Sequence, residues 1–174
     1  MPGHAKDGGQ PGFSLVEFAA ATAIVGIICV VLLQRMLYLQ EYAEMMAMDL
    51  TVANMRTGLR YKTGDLLMSD RVSEISTLAD ENPVSWLQNH PDNYLGEFDL
   101  KPETDLRGKW YFDRTRRELV YTTNNRRHFL PVSDRDYALR WHAVSTRAKE
   151  EGSSPGRSNV QWVALVPIAG GRWF

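Results

Sequence analysis

The chain has 174 residues, with 20 basic and 21 acidic side chains, four histidines and a net charge of −1. That balance excludes bulk polyanion binding as the main character of the protein, and the length allows one domain of ordinary size beside any terminal segment. The single cysteine, Cys29, excludes an intrachain disulfide.

The first predicted element is an apolar run from Phe13 to Leu33, opened by Gly12-Phe13-Ser14-Leu15-Val16-Glu17. As a helix it spans about 30 Å, enough to cross a bilayer. Its one charge is Glu17. A carboxylate at a bilayer centre costs roughly 2.5–3.5 kcal/mol on insertion scales. Glu17 lies about 6 Å into the run, so its cost is smaller, but it is a poor choice unless a cation meets it. A secretory signal peptide needs a basic n-region and a small-residue cleavage site. Only Lys6 precedes this run, and Gln34-Arg35-Met36 follows it. Cys29 reads as a small membrane-facing hydrophobe.

These residues resemble the class III signal of type IV pilins and pseudopilins. The resemblance implies cleavage by a prepilin peptidase between Gly12 and Phe13, N-methylation of Phe13, and an assembly role for Glu17, fifth in the mature chain. Residues 1–12 are then a leader. The new α-amino group is cationic near neutral pH. Glu17 sits one turn from its own amine, and the amine of an adjoining subunit can approach more closely. In a low-dielectric bundle a paired carboxylate is tolerated where an unpaired one is costly. The pairing therefore favours a staggered array of helices over a lone one.

The helix is expected to continue to about Lys62, with 13–33 as its transmembrane half, 34–63 as its amphipathic half, and Thr63-Gly64 as its stop. Met36, Leu39, Ala43, Met46, Leu50 and Ala53 recur at alternating steps of three and four and mark one face. Leu37, Tyr38, Tyr42, Met45, Met48, Val52 and Met55 place apolar area on other faces, which predicts burial on several sides. A coiled-coil stalk is the plainer alternative. Major type IV pilins often carry a proline just past the membrane half. Gln34 stands there instead, which suits pseudopilins and some minor pilins better.

The rest reads as short helices and then strands, an α+β head over 64–174. Val72, Ile75 and Leu78 predict a short amphipathic helix within Ser69–Ala79. Asn82-Pro83 is an N-cap and a first-turn proline opening a helix with Val84, Trp86 and Leu87, closed by His90-Pro91-Asp92-Asn93. From Lys109 the period changes to two. Strands are predicted at Trp110–Phe112, Glu118–Thr122, His128–Val132, Tyr137–Val144 and Val160–Ile168. Turns are expected at 113–117 and 123–125, and 152–156 is a Gly/Ser/Pro loop. Asn82-Pro83-Val84-Ser85-Trp86-Leu87, Asn93-Tyr94-Leu95-Gly96-Glu97, Gly108–Asp113 and Glu118–Tyr121 are similar to the globular half of pseudopilins and mannose-sensitive-haemagglutinin-type pilins. The resemblance implies a long helix packed on an antiparallel sheet, and the predicted strands place Trp110, Trp141 and Trp162 on that sheet.

Charge is unevenly laid out. Gly64–Asp105 holds ten acidic and two basic residues, a net −8, and Arg107–Arg147 holds ten basic and four acidic, a net +6. The blocks are expected either to pair within the domain, to pair one subunit with the next, or to stay solvated.

Catalytic signals are sparse. His4, His90, His128 and His142 are far apart, and there is no Gly-x-Ser-x-Gly, no Walker-type loop and no Cys-x-x-Cys. Asp99, Glu103 and Asp105 are a weak calcium candidate. Arg114–Arg117 and Arg126-Arg127 beside Tyr111 and Phe112 are a weak nucleic-acid candidate. Neither outweighs solvated charge, so the expectation is no catalysis, no metal and no cofactor. The family resemblance implies a structural subunit of a pilus-like fibre, first a pseudopilin of a type II secretion system, and alternatively a minor or major type IV or haemagglutinin-type pilin used in adhesion, motility or DNA uptake. Its partners would be the prepilin peptidase, other subunits, an inner-membrane assembly platform and lipid. The chain would cross the bacterial inner membrane once, N-terminus in the cytoplasm and head in the periplasm, before entering a periplasmic or extracellular fibre.

Overall fold

A computed structural model describes residues 14–102, 104–125, 127–131, 137–147, 161–168 and 171–173. The first element, helix α1, runs without interruption from Leu15 to Met68, 54 residues. No proline falls within it to remove a backbone donor. The chain groups into two compact units, Met1–Tyr42 and Ala43–Phe174. Residues 43–68 of α1 fall in the second of these units.

The helix also passes through the expected stop at Thr63-Gly64. It ends instead at Met68, and the chain turns at Asp70, whose φ of +56° is left-handed. Arg71 N–H donates to the Leu66 carbonyl at 2.9 Å and Asp70 N–H to the Leu67 carbonyl at 3.4 Å, the paired bonds of a Schellman ending. Leu66 is buried, so the extra turn anchors an apolar side chain that a stop at Gly64 would leave behind.

Two 3₁₀ helices follow, Val72–Asp80 and Pro83–Trp86. The three-residue spacing of Val72, Ile75 and Leu78 matches three residues per turn. Ile75 and Leu78 are buried, while Val72 is exposed. Asn82 Oδ1 accepts from Val84 N–H at 3.0 Å, the expected cap, and Leu87 lies just beyond the helix.

The sheet has five strands in the order β1-β2-β3-β5-β6, where β1 is Tyr94–Phe98, β2 Lys109–Asp113, β3 Glu118–Thr122, β5 Ala138–Arg147 and β6 Gln161–Pro167. Among the described residues the intervening β4, Phe129–Leu130, pairs with β7, Arg172–Trp173, and not with this sheet. The expected strand at 128–132 is thus two residues long, and its end at Val132 lies outside the described residues. The sheet is mixed rather than antiparallel, because β1 runs parallel to β2. Sequence periodicity gives no sign of β1: Gly96, at φ +116°, interrupts its pattern, and the register shifts between Tyr94 and Glu97.

One face of the sheet meets α1. Met48, Val52, Met55 and Leu59 pack with Ile75, Leu78, Val84 and Trp86 against Trp110, Phe112, Leu119, Tyr121, Trp141 and Leu165. Burial contributes about 1.5–3 kcal/mol for each large apolar side chain. Trp110 sits 4.7 Å from the Tyr121 ring and 5.4 Å from the Trp141 ring. On the opposite face Leu106 covers Tyr111, Val120 and Ala138, with Leu95 and Phe98 beside them. Three consecutive residues are therefore buried in each of β2 and β3, and strict alternation fails there. Trp162 stands on β6 as expected but is 53 % exposed, so it is not a core residue.

Candidate assembly site

Gly12 and Phe13 lie outside the described residues. Glu17 stands in the first turn of α1, where a carboxylate complements the helix dipole. It is exposed, and it has no ion pair or hydrogen bond among the described residues. Around it Leu15, Val16, Phe18, Ile24, Val25, Ile27 and Ile28 are all exposed, as is Cys29. Leu15–Met68 is one helix long and apolar enough to cross a membrane, by length and composition.

In the amphipathic half, the stripe read from the sequence is not the one the head buries. Met36, Leu39, Met46 and Leu50 are exposed, and the buried set is Met48, Val52, Met55 and Leu59. The helix therefore has two apolar faces, one occupied by its own sheet and one open. Arg35 places its guanidinium 5.4 Å above the Tyr38 ring on the exposed part.

A polar clamp that sequence reasoning missed holds the helix to the head. The Glu44 carboxylate accepts from the Tyr121 hydroxyl at 2.9 Å, from Asn124 N–H at 2.6 Å and from Asn125 N–H at 3.1 Å. Two of these donors are backbone groups of the loop after β3. Burial first, then the Glu44 charge and their hydrogen bond, push the Tyr121 phenol well above its usual value. Burial also raises Tyr94, whose hydroxyl accepts from Asn82 Nδ2 at 2.7 Å. The only sequence signal for the clamp is an acid, Glu44, in an otherwise Met- and Ala-rich stretch.

Charges across the two blocks meet within the head. Arg114 pairs with Asp99 at 3.2 Å and approaches Glu97 at 4.0 Å, Arg117 pairs with Asp80, and Arg107 pairs with Asp105 at 2.9 Å. Intradomain pairing therefore describes these residues. Asp99 and Asp105 are thereby engaged by arginines, and Glu103 lies outside the described residues. Among the described residues no group of three or more His, Cys, Asp or Glu side chains is placed to hold a metal. Tyr111 and Phe112 are buried, so neither ring flanks Arg114–Arg117 as a stacking platform, and Arg126 lies outside the described residues.

His90 meets the Tyr94 ring edge-on at 5.8 Å, and His142 has a buried Nδ1 without a hydrogen-bond partner. His4 lies outside the described residues. A groove of about 470 Å³ runs between the end of α1 and the first 3₁₀ helix. Its charges are mutually engaged, Lys62 with Glu81 at 2.9 Å, and Arg71 with Asp65 at 3.6 Å and Glu74 at 3.4 Å. That leaves the groove no free charge to receive an ionic ligand. Compared with known protein families, curated proteins and solved structures, the chain matches none.

Proposed function

We propose that the chain is a structural subunit of a pilus-like fibre, processed between Gly12 and Phe13 and assembled through its N-terminal helix. The observation that carries this reading is Glu17, a lone carboxylate without a partner among the described residues, in the first turn of an exposed apolar helix long enough to cross a bilayer. A charged carboxylate in that position is costly in lipid, and pairing with a cation offsets the cost. The amine of a processed Phe13, on its own or an adjoining subunit, supplies that charge. The second apolar face of α1, at Met36, Leu39, Met46 and Leu50, gives neighbouring helices a surface to bury.

Within this reading, a pseudopilin of a type II secretion system is favoured over a major pilin because α1 continues through Gln34 without a proline break. A minor pilin remains the second reading on the same observation. The subunit would enter the inner membrane with its N-terminus in the cytoplasm and its head in the periplasm, be cut by the prepilin peptidase, and pass to the assembly platform.

The test is Glu17→Leu in cells that assemble the fibre. Membrane insertion should be unchanged, since the substitution removes a desolvation cost. The mutant's share of the sheared fibre fraction should fall severalfold. Normal incorporation would overturn the pairing.

A further inference from the structure

Two charges of opposite sign bracket the apolar stretch of α1. After Glu17 the next charged side chain is Arg35, eighteen positions on, about 27 Å along a helix. The hydrocarbon core of a bilayer is about 30 Å thick. With Glu17 near one boundary, Arg35 falls at the other. Every side chain from Ser14 to Gln40 is exposed, so lipid can reach the whole circumference between them.

Arg35 has an aromatic neighbour. Its guanidinium carbon stands 5.4 Å from the centre of the Tyr38 ring, within cation–π range. Tyr42 follows one turn later on the same side of the helix, and both tyrosines are exposed. Tyrosine suits a bilayer boundary because its ring is apolar and its hydroxyl is wet. On the other side of Arg35, Ile28, Val31 and Leu32 lie seven, four and three positions earlier. They share its face and are exposed. The face therefore runs from aliphatic, through one cation, to phenolic.

The ring covers one face of the guanidinium and leaves its N–H edges open. No carboxylate or carbonyl among the described residues accepts from them. A guanidinium offers those donors as a planar fork that matches two phosphate oxygens. At the boundary of a bilayer, such oxygens belong to lipid phosphodiesters. A free phosphate has the same oxygens but nothing to place along Ile28, Val31 and Leu32, whereas a lipid carries acyl chains there. The site holds a cation and no acid, so it favours a headgroup with net negative charge over a zwitterionic one. We propose that Arg35, Tyr38 and Tyr42 form a headgroup site for an anionic phospholipid, with the phosphate on Arg35 and the acyl chains along the preceding apolar turn. The site requires that the helix enter a bilayer and does not require that the chain form a fibre.

The test uses the full chain in detergent micelles containing phosphatidylglycerol or phosphatidylcholine at equal mole fraction, with bound phospholipid counted by native mass spectrometry. Wild type should retain phosphatidylglycerol in preference to phosphatidylcholine. Arg35→Gln should weaken phosphatidylglycerol binding about fivefold, the effect of one interfacial cation. Arg35→Lys should fall between them, because it keeps the charge and loses the fork. Tyr38→Leu should weaken binding and Tyr38→Phe should not, since the ring makes the contact. Arg60→Gln removes an exposed arginine far beyond the apolar run and should leave retention unchanged. Arg35 is exposed, so the far-UV circular dichroism of its variants should match wild type. Equal retention by wild type and Arg35→Gln, or no preference between the two lipids, would overturn the proposal. Equal losses in Arg35→Gln and Arg60→Gln would also overturn it, because bulk charge would then be the cause. So would displacement of the lipid by inorganic phosphate beyond the effect of sodium chloride at the same ionic strength, which would mark a site for a soluble anion.

Discussion

At the scale of single residues, the two tryptophans on the sheet separate core from surface. Trp110 is 2 % exposed, between the Tyr121 and Trp141 rings, and Trp162 is 53 % exposed. Trp110→Ala should destabilise the head by about 3–5 kcal/mol, the usual range for an emptied aromatic site. Trp162→Ala should cost much less, about 1 kcal/mol, because half of the residue stays in water and no enclosed cavity is left behind. Denaturant titration of the two variants in detergent checks the contrast, and equal losses would mean that Trp162 is buried. Tyr121 makes a second residue-scale test. Its folded pKa is raised, so its contribution is fully present below the unfolded value of about 10 and is lost as pH climbs from there toward the folded value. Above pH 10, stability should fall by up to about 1.4 kcal/mol per pH unit for this group. Tyr121→Phe should flatten that alkaline slope, leaving a smaller one from Tyr94, which is also raised. An unchanged slope would show that the phenol titrates freely.

At the scale of elements, glycines in α1 behave oppositely by position. A Cβ at Gly64 meets nothing within 4 Å, and a Cβ at Gly58 collides with the Trp86 carbonyl oxygen and lies 2.9 Å from its carbon. Gly64→Ala should raise stability by about 0.5–1 kcal/mol through helix propensity. Gly58→Ala should lower it, because the backbone of the second 3₁₀ helix has to move. Melting temperatures of the two variants should shift in opposite directions; a shift of the same sign in both would contradict this packing. The same elements show what was legible beforehand. Asn82-Pro83 marked a helix start because a cap is a local event between neighbours, and β2, β3, β5 and β6 were readable because their apolar content is dense. Strand β1 was hidden by Gly96 and by pairing with a partner that starts fifteen residues later. The end of α1 was misplaced because a glycine is only a permissive stop, whereas the burial of Leu66 and the left-handed turn at Asp70 depend on the fold. Which face of α1 meets the sheet is not legible for a related reason: with apolar residues all round, periodicity cannot say which stripe that is. The Glu44 clamp and the hydrogen bond from Arg56 Nε to the Leu165 carbonyl join residues 77 and 109 positions apart, a separation that local pattern does not carry.

At the scale of the molecule, the charge blocks of opposite sign are tied together inside the head by Arg114, Arg117 and Arg107. Exposed pairs of this kind are screened by water and add little to stability, so they trim the domain's field more than they hold its fold. The largest exposed apolar area lies on α1, at Met36, Leu39, Met46 and Leu50 and along its first turns. The fibre reading joins these surfaces to Glu17, and it stands on the processing that would create the cation for that carboxylate. The most direct measurement is the intact mass and N-terminal sequence, by mass spectrometry, of the mature protein from its own membrane. The account predicts a chain beginning at Phe13 with a methylated amine, and a full-length chain when Gly12→Val crowds the scissile bond. A mature protein that keeps Met1, or one that begins beyond Leu33, would contradict it.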